Sequence, residues 1–105
     1  MKTESEIESW IDKQIRKTKG LFFKFVSPGN DGVPDRIVIL PGGRIIFVEL
    51  KTDKGRLSPV QKHQISRLLN LGCDCRVIKG QKEAEEFINE IHSARLPEIR
   101  DQQNT

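Results

Sequence analysis

Asp35, in the run Gly32-Val33-Pro34-Asp35-Arg36, and the pair Glu49 and Lys51, fourteen positions on in Glu49-Leu50-Lys51, are the residues of this chain best suited to chemistry. Two acids and a lysine at the ends of two apolar strands are hard to explain as packing. Carboxylates facing each other on neighbouring strands stand about 5 Å apart at their Cβ atoms and repel unless a cation lies between them. Oxygen ligands alone suit Mg²⁺ or Mn²⁺, which keep several waters and leave room for a phosphate oxygen. The Leu50 main-chain carbonyl could add a ligand. Lys51 could orient or deprotonate an attacking water and offset the charge that develops on phosphorus. The pattern therefore reads as a metal-dependent site for phosphodiester hydrolysis. Its bland alternative is a surface hairpin with ordinary cross-strand ion pairs.

The elements that must position these residues follow from periodicity. From Thr3 to Thr18, Ile7, Trp10, Ile11 and Ile15 repeat at helical spacing, and Gly20 ends the helix. Leu21 to Val26 reads as a first strand, followed by a loop of turn formers, Ser27 to Gly32. Arg36 to Leu40 and Arg44 to Leu50 are apolar strands joined by Pro41-Gly42-Gly43, a hairpin signal. A polar loop, Thr52 to Leu57, leads into a helix opened by Ser58-Pro59-Val60-Gln61. There Ser is the N-cap, Pro is N1 and Gln is N3 of a capping box, and Gly72 stops the helix. Cys75 to Lys79 is a short strand, and Gln81 to Ala94 a last helix halted by Pro97. The order αβββαβα, with a hairpin followed by a helical crossover, predicts an α/β fold with a mixed sheet flanked by helices. It would form a single domain over residues 1–95 with a polar tail at 96–105.

Register decides whether the two acids meet. With a two-residue Gly42-Gly43 loop, Asp35 would stand opposite Leu50 and the acids would point to opposite faces. With a three-residue Pro41-Gly42-Gly43 loop, Leu40 faces Arg44, Ile37 faces Phe47 and Asp35 faces Glu49. The three-residue loop, or a bulge restoring its register, is expected.

Composition limits the possibilities. A chain of 105 residues supports one domain with a modest core, and a net charge of +3 tilts the surface toward polyanions. No apolar run is long enough for a membrane span and the charged N-terminal residues do not resemble a signal peptide, so a soluble, cytoplasmic protein is expected. Cys73 and Cys75 lie too close for an ordinary disulfide and lack the second ligand pair of a zinc site, so they read as reduced thiols.

Together, GVPDR, VELK and Gln61 in the following helix resemble the VRR-NUC family of the PD-(D/E)XK nuclease superfamily, over roughly residues 4–92. The resemblance implies a restriction-endonuclease-like fold, with Asp35 and Glu49 as metal ligands and Lys51 as the catalytic lysine. It also implies that a glutamate of the first helix joins the metal. The spacing to Gly20 favours Glu8, with Glu4 behind it. Gln61 matches a glutamine near such sites, although its capping role accounts for it without catalysis. Small stand-alone domains of this kind are similar to phage proteins, and some resemble homodimeric enzymes that resolve branched DNA. The implied activity is a Mg²⁺- or Mn²⁺-dependent DNA endonuclease acting on four-way junctions or flaps.

Lys24, Arg36, Lys54 and Arg56, with Lys62 and Arg67, are candidates to neutralise DNA phosphates. His63 and His92 read as surface histidines. The competing readings are a non-catalytic DNA-binding or assembly module that keeps the fold, and a restriction-type or RNA-directed nuclease. Intact Asp35, Glu49 and Lys51 argue against the first.

Overall fold

The structure, a computed structural model, describes residues 2–103, with side chains described for residues 2–93. The elements are α1 (Glu4–Lys17), β1 (Leu21–Lys24), β2 (Arg36–Leu40), β3 (Arg44–Lys51), α2 (Pro59–Asn70), β4 (Asp74–Lys79) and α3 (Gly80–Gln103). The strands form one sheet in the order β1-β2-β3-β4, antiparallel except for the parallel β3–β4 pair. The mixed sheet follows from the connections: a tight turn can join only antiparallel neighbours, whereas α2 carries the polypeptide across to a parallel one.

Alternation gives the sheet two unlike faces. One carries Val38, Leu40, Ile46, Val48, Leu50 and Ile78, which pack on Ile7, Ile11 and Ile15 of α1 and on Ala84, Phe87, Ile88 and Ile91 of α3. That layer is the core. The other face carries Leu21, Phe23, Ile37, Ile39, Ile45, Phe47, Glu49 and Lys51, which the strand register brings to one side. Among the described residues, α2 is the one helix against this side, burying Ile65, with the Phe25 ring on Phe47, while Leu21, Phe23 and Ile45 stay about half exposed. The site therefore opens on the thinly covered face.

Local signals explain the element ends. Thr3 and Glu6 form a capping box at the start of α1, and Ser58 and Gln61 form another at the start of α2. Several boundaries differ from expectation, β1 ending at Lys24 rather than Val26 among them. The left-handed residue after α1 is Lys19, at φ 69°, so the backbone turns one residue before Gly20. The last helix does not stop at Pro97 but runs to Gln103, across the expected start of the tail at residue 96. Proline removes one helical hydrogen bond and crowds the carbonyl four residues back, but Leu96, Glu98 and Arg100 beside it are good helix formers that continue the helix.

Candidate active site

The β2–β3 register is Leu40 opposite Arg44, Ile39 opposite Ile45, Ile37 opposite Phe47 and Arg36 opposite Val48. Gly43 N–H donates to the Leu40 carbonyl at 2.9 Å, closing a loop of Pro41, Gly42 and Gly43, with both glycines at positive φ. This is the three-residue loop the hairpin required, with no bulge. One more step along the register brings Asp35 across from Glu49.

Backbone contacts hold Asp35 in that place. Its carbonyl accepts the Phe25 N–H at 2.9 Å, and its carboxylate Oδ1 accepts the Leu50 N–H at 3.3 Å. A strand residue's N–H and C=O leave the same edge, so the Leu50 carbonyl is directed to the Asp35 side as well. Glu49 is almost fully buried, 3% exposed. Its Oε2 accepts a hydrogen bond from Gln61 Nε2 at 3.2 Å and lies 3.5 Å from Lys51 Nζ.

Gln61 caps its helix and also reaches Glu49. Its Oε1 accepts the Ser58 N–H at 2.9 Å, completing the capping box, which leaves the amide nitrogen to hold Glu49. The cap thus fixes which end of the amide faces the acid. Gly32 makes this approach possible. It sits at φ +85°, and a Cβ there would lie 2.4 to 2.8 Å from Val60 atoms, the backbone carbonyl carbon and oxygen among them. Gln64 Nε2 donates to the Asp31 carbonyl at 3.1 Å and ties α2 to the same loop.

The electrostatics mark the two acids as frustrated. Burial pushes the Asp35 carboxyl above its usual range, against the opposing Leu50 hydrogen bond and Arg36 charge. Burial, and next the charge of Asp35, push Glu49 up as well, with Lys51 pulling it back. Two neighbouring carboxylates that burial disfavours as anions, with Lys51 alone paired to Glu49, fit a hard divalent cation by donor chemistry, since both offer oxygen. Asp35, Glu49 and the Leu50 carbonyl are the groups that would hold it. Among the described residues no cluster of three His, Cys, Asp or Glu side chains is placed to bind a metal.

Other expected residues lie elsewhere. Glu8 pairs with Arg36, on the α1 side of the sheet, and Arg36 also lies over the Phe22 ring at 6.0 Å and donates to the Asp35 carbonyl at 3.2 Å. Lys24 joins them in a cleft of about 280 Å³ with Glu8 and Asp12. Glu8, Arg36 and Lys24 therefore occupy the face opposite to Asp35 and Glu49, because even and odd strand positions diverge. The first-helix acid whose charge reaches the site is Glu4, which raises both Asp35 and Glu49. Lys54 and Arg56 are exposed on the loop after β3, near Lys51 in sequence. Lys62, His63 and Arg67 are exposed on α2.

A profile of the VRR-NUC domain matches residues 2–82. The chain belongs to the VRR-NUC family. Within that family it is 45% identical over 78 residues to "Putative nuclease p44" of Acyrthosiphon pisum secondary endosymbiont phage 1, covering 74% of this chain and 84% of that one. A solved structure titled "VRR_NUC domain" superposes with a TM-score of 0.77 at 29% identity, over 82% of this chain and 94% of that one. A second, "VRR_NUC domain protein", gives 0.68 at 20% identity, over 86% and 88%, and shows the same fold. The VRR-NUC chain is thus a small α/β nuclease domain. Its matched residues include all four side chains of the constellation, Asp35, Glu49, Lys51 and Gln61. No helix among the described residues is long and apolar enough to cross a membrane.

Proposed function

We propose that the protein is a Mg²⁺- or Mn²⁺-dependent DNA endonuclease whose site is Asp35, Glu49, Lys51 and Gln61. The observation that carries this reading is the single cluster these residues form: a buried and a part-buried acid across one strand pair, a lysine 3.5 Å from Glu49, and a glutamine fixed by a helix cap. Bound between the acids, the cation would supply charge for a phosphate oxygen and acidify a water. The protein's own residues do the rest. Asp35 is held through Oδ1 by the Leu50 N–H, which leaves its second oxygen for the cation. Gln61 keeps Glu49 from turning away. Lys51 stands where it can take a proton from an incoming water or steady the charge on the phosphate. In this reading Glu4, whose charge reaches both acids, is the first-helix residue that would support the cation, since Glu8 is engaged by Arg36.

Branched DNA is the substrate this reading favours, from the likeness of small stand-alone domains to junction-resolving enzymes. A homodimer goes with it, and the half-exposed Leu21, Phe23 and Ile45 supply apolar surface that a second subunit would cover. Purified protein is incubated with labelled four-way junction, flap, duplex and single-stranded DNA, with Mg²⁺, Mn²⁺ or EDTA. Cutting that needs metal and falls at least 10²-fold, roughly the size of one lost charge-stabilising group, in Lys51→Ala is expected. No cutting of any DNA, or an Asp35→Ala enzyme as active as wild type, overturns the proposal. Light scattering reads the dimer, and a monomer at all concentrations removes that part.

A further inference from the structure

One strand away from Lys51 the same face continues into a cleft that the site described above does not use. Lys79 of β4 is the register partner of Lys51 on β3, so the two lysines stand side by side, about 4.8 Å apart at the backbone. Beyond Lys79 opens a cleft of about 640 Å³ lined by Lys2, Asp53, Lys79, Gln81, Lys82 and Glu83. Three of these six are cations.

The two acids of the cleft are turned to the backbone. Glu83 Oε1 accepts the Lys79 N–H at 2.8 Å, closing the first turn of α3. Asp53 lies against Gly80, so close that a Cβ there would stand 1.7 Å from its Oδ1. Among the described residues, no salt bridge engages Lys2, Lys79 or Lys82. Cations left unpaired beside acids oriented elsewhere form a ready anion site. Gln81 Oε1 is closed off from the cleft, so the groups the cleft presents to a ligand are its unpaired lysines. Ammonium groups spaced along one face suit successive phosphates of a nucleic-acid backbone.

We propose that this cleft binds the DNA strand next to the scissile phosphate, with Lys79 and Lys82 contacting a neighbouring phosphate and Lys2 closing over it. The track would run from Lys51 across β4 to the first turn of α3. The proposal rests on the nuclease reading for the identity of its ligand, but binding and cutting can be read separately.

Binding of a fluorescein-labelled DNA duplex and four-way junction is measured by anisotropy in EDTA, across a series of KCl concentrations. The proteins are full-length wild type, Lys79→Ala/Lys82→Ala, Lys82→Glu alone, and Lys13→Ala/Lys17→Ala. The last removes equal charge from exposed positions of α1 on the other face. Lys82 is exposed, so Lys82→Glu tests the cleft without touching the core. The cleft double variant is expected to bind about tenfold more weakly. The slope of log K against log salt should fall by roughly 1 to 2, the loss of one or two phosphate contacts. Lys82→Glu should show the same direction, and the α1 double variant a loss under about threefold with unchanged slope. Cleft and α1 variants that behave alike overturn the proposal, as does a wild type that binds no DNA in EDTA. If wild type binds as expected but cuts nothing in Mg²⁺ or Mn²⁺, the cleft stands and the nuclease mechanism fails. If cutting is intact and the cleft variants bind like wild type, the reverse holds.

Discussion

Replacing Gly32 by alanine separates two kinds of cost that the structure places on one residue. The first is conformational. At φ +85° an L-residue loses about 1–2 kcal/mol. Roughly 0.4–1 kcal/mol of this returns, because alanine has fewer unfolded conformations to lose than glycine. Gly29, at φ +82°, carries the same cost with nothing within 4 Å of a Cβ, so Gly29→Ala should destabilise by about 1 kcal/mol or less. The second cost belongs to Gly32 alone. Its Cβ would meet Val60 Cγ1 at 2.4 Å and the Val60 backbone carbonyl carbon and oxygen at 2.8 Å. Overpacking of this kind costs about 1–3 kcal/mol, and this is the expected gap between the two variants. Urea unfolding in EDTA reads it as a midpoint lower by about 0.5–3 M for Gly32→Ala than for Gly29→Ala, at an m-value near 1–2 kcal/mol/M for this size. The strain also falls on chemistry, because the helix start that must yield is the one that carries Gln61. Metal-dependent cutting should therefore drop in Gly32→Ala at urea-free conditions where the protein is folded, and not in Gly29→Ala. Adding Val60→Ala removes the clash with the Val60 methyl but neither backbone clash, so rescue should be partial. Equal stability and activity in the two glycine variants, or full rescue by Val60→Ala, would refute the reasoning.

The buried acids predict an unusual pH response without metal. Asp35 and Glu49 have folded carboxyls raised above their ordinary values, so the folded protein holds more protons than the unfolded one. Their contribution to stability is therefore lost as pH rises from the ordinary carboxylate range through the raised folded values. In EDTA, Glu49→Gln should show a smaller fall in Tm over that window than wild type while abolishing cutting. A steeper fall would contradict the electrostatic account. Glu8→Gln should leave cutting unchanged and cost about 1 kcal/mol or less, the value of a half-exposed pair with Arg36. Loss of activity in that variant would return Glu8 to the metal site. Burial pushes the Cys75 thiol up to about 11, whereas Cys73 is partly exposed, so iodoacetamide at neutral pH should modify Cys73 well before Cys75, as read by peptide mass.

Much of the fold is legible in the sequence because its signals are local. The capping boxes at Thr3 and Ser58 and the helical spacing of Ile7, Ile11 and Ile15 each depend on residues within a few positions. So does the Pro41-Gly42-Gly43 turn, whose length follows from the demand that Asp35 meet Glu49. The misplacements share one cause. Closeness in sequence groups Arg36 with the site, and spacing to Gly20 does the same for Glu8, whereas a strand sends neighbouring side chains to opposite faces. Alternation assigns Arg36 to the face of Val38, yet only the packing of α1 on that face shows that Glu8 is there to meet it. Pro97 reads as a stop because a proline removes one hydrogen bond, and the helix continues across it.

By itself, the sequence determined which groups could do chemistry, the order of the elements, and the turn that brings the two acids across from each other, since hydrogen-bond partners and face alternation follow from residue spacing. The tertiary structure decided what surrounds them. It joins Gln61 to Glu49 through a helix that arrives from 12 residues away, lets that helix approach only because Gly32 lacks a side chain, and sets Lys79 beside Lys51 by a parallel crossover. Contacts between elements distant in sequence depend on how helices lie on a sheet, and no local pattern encodes that.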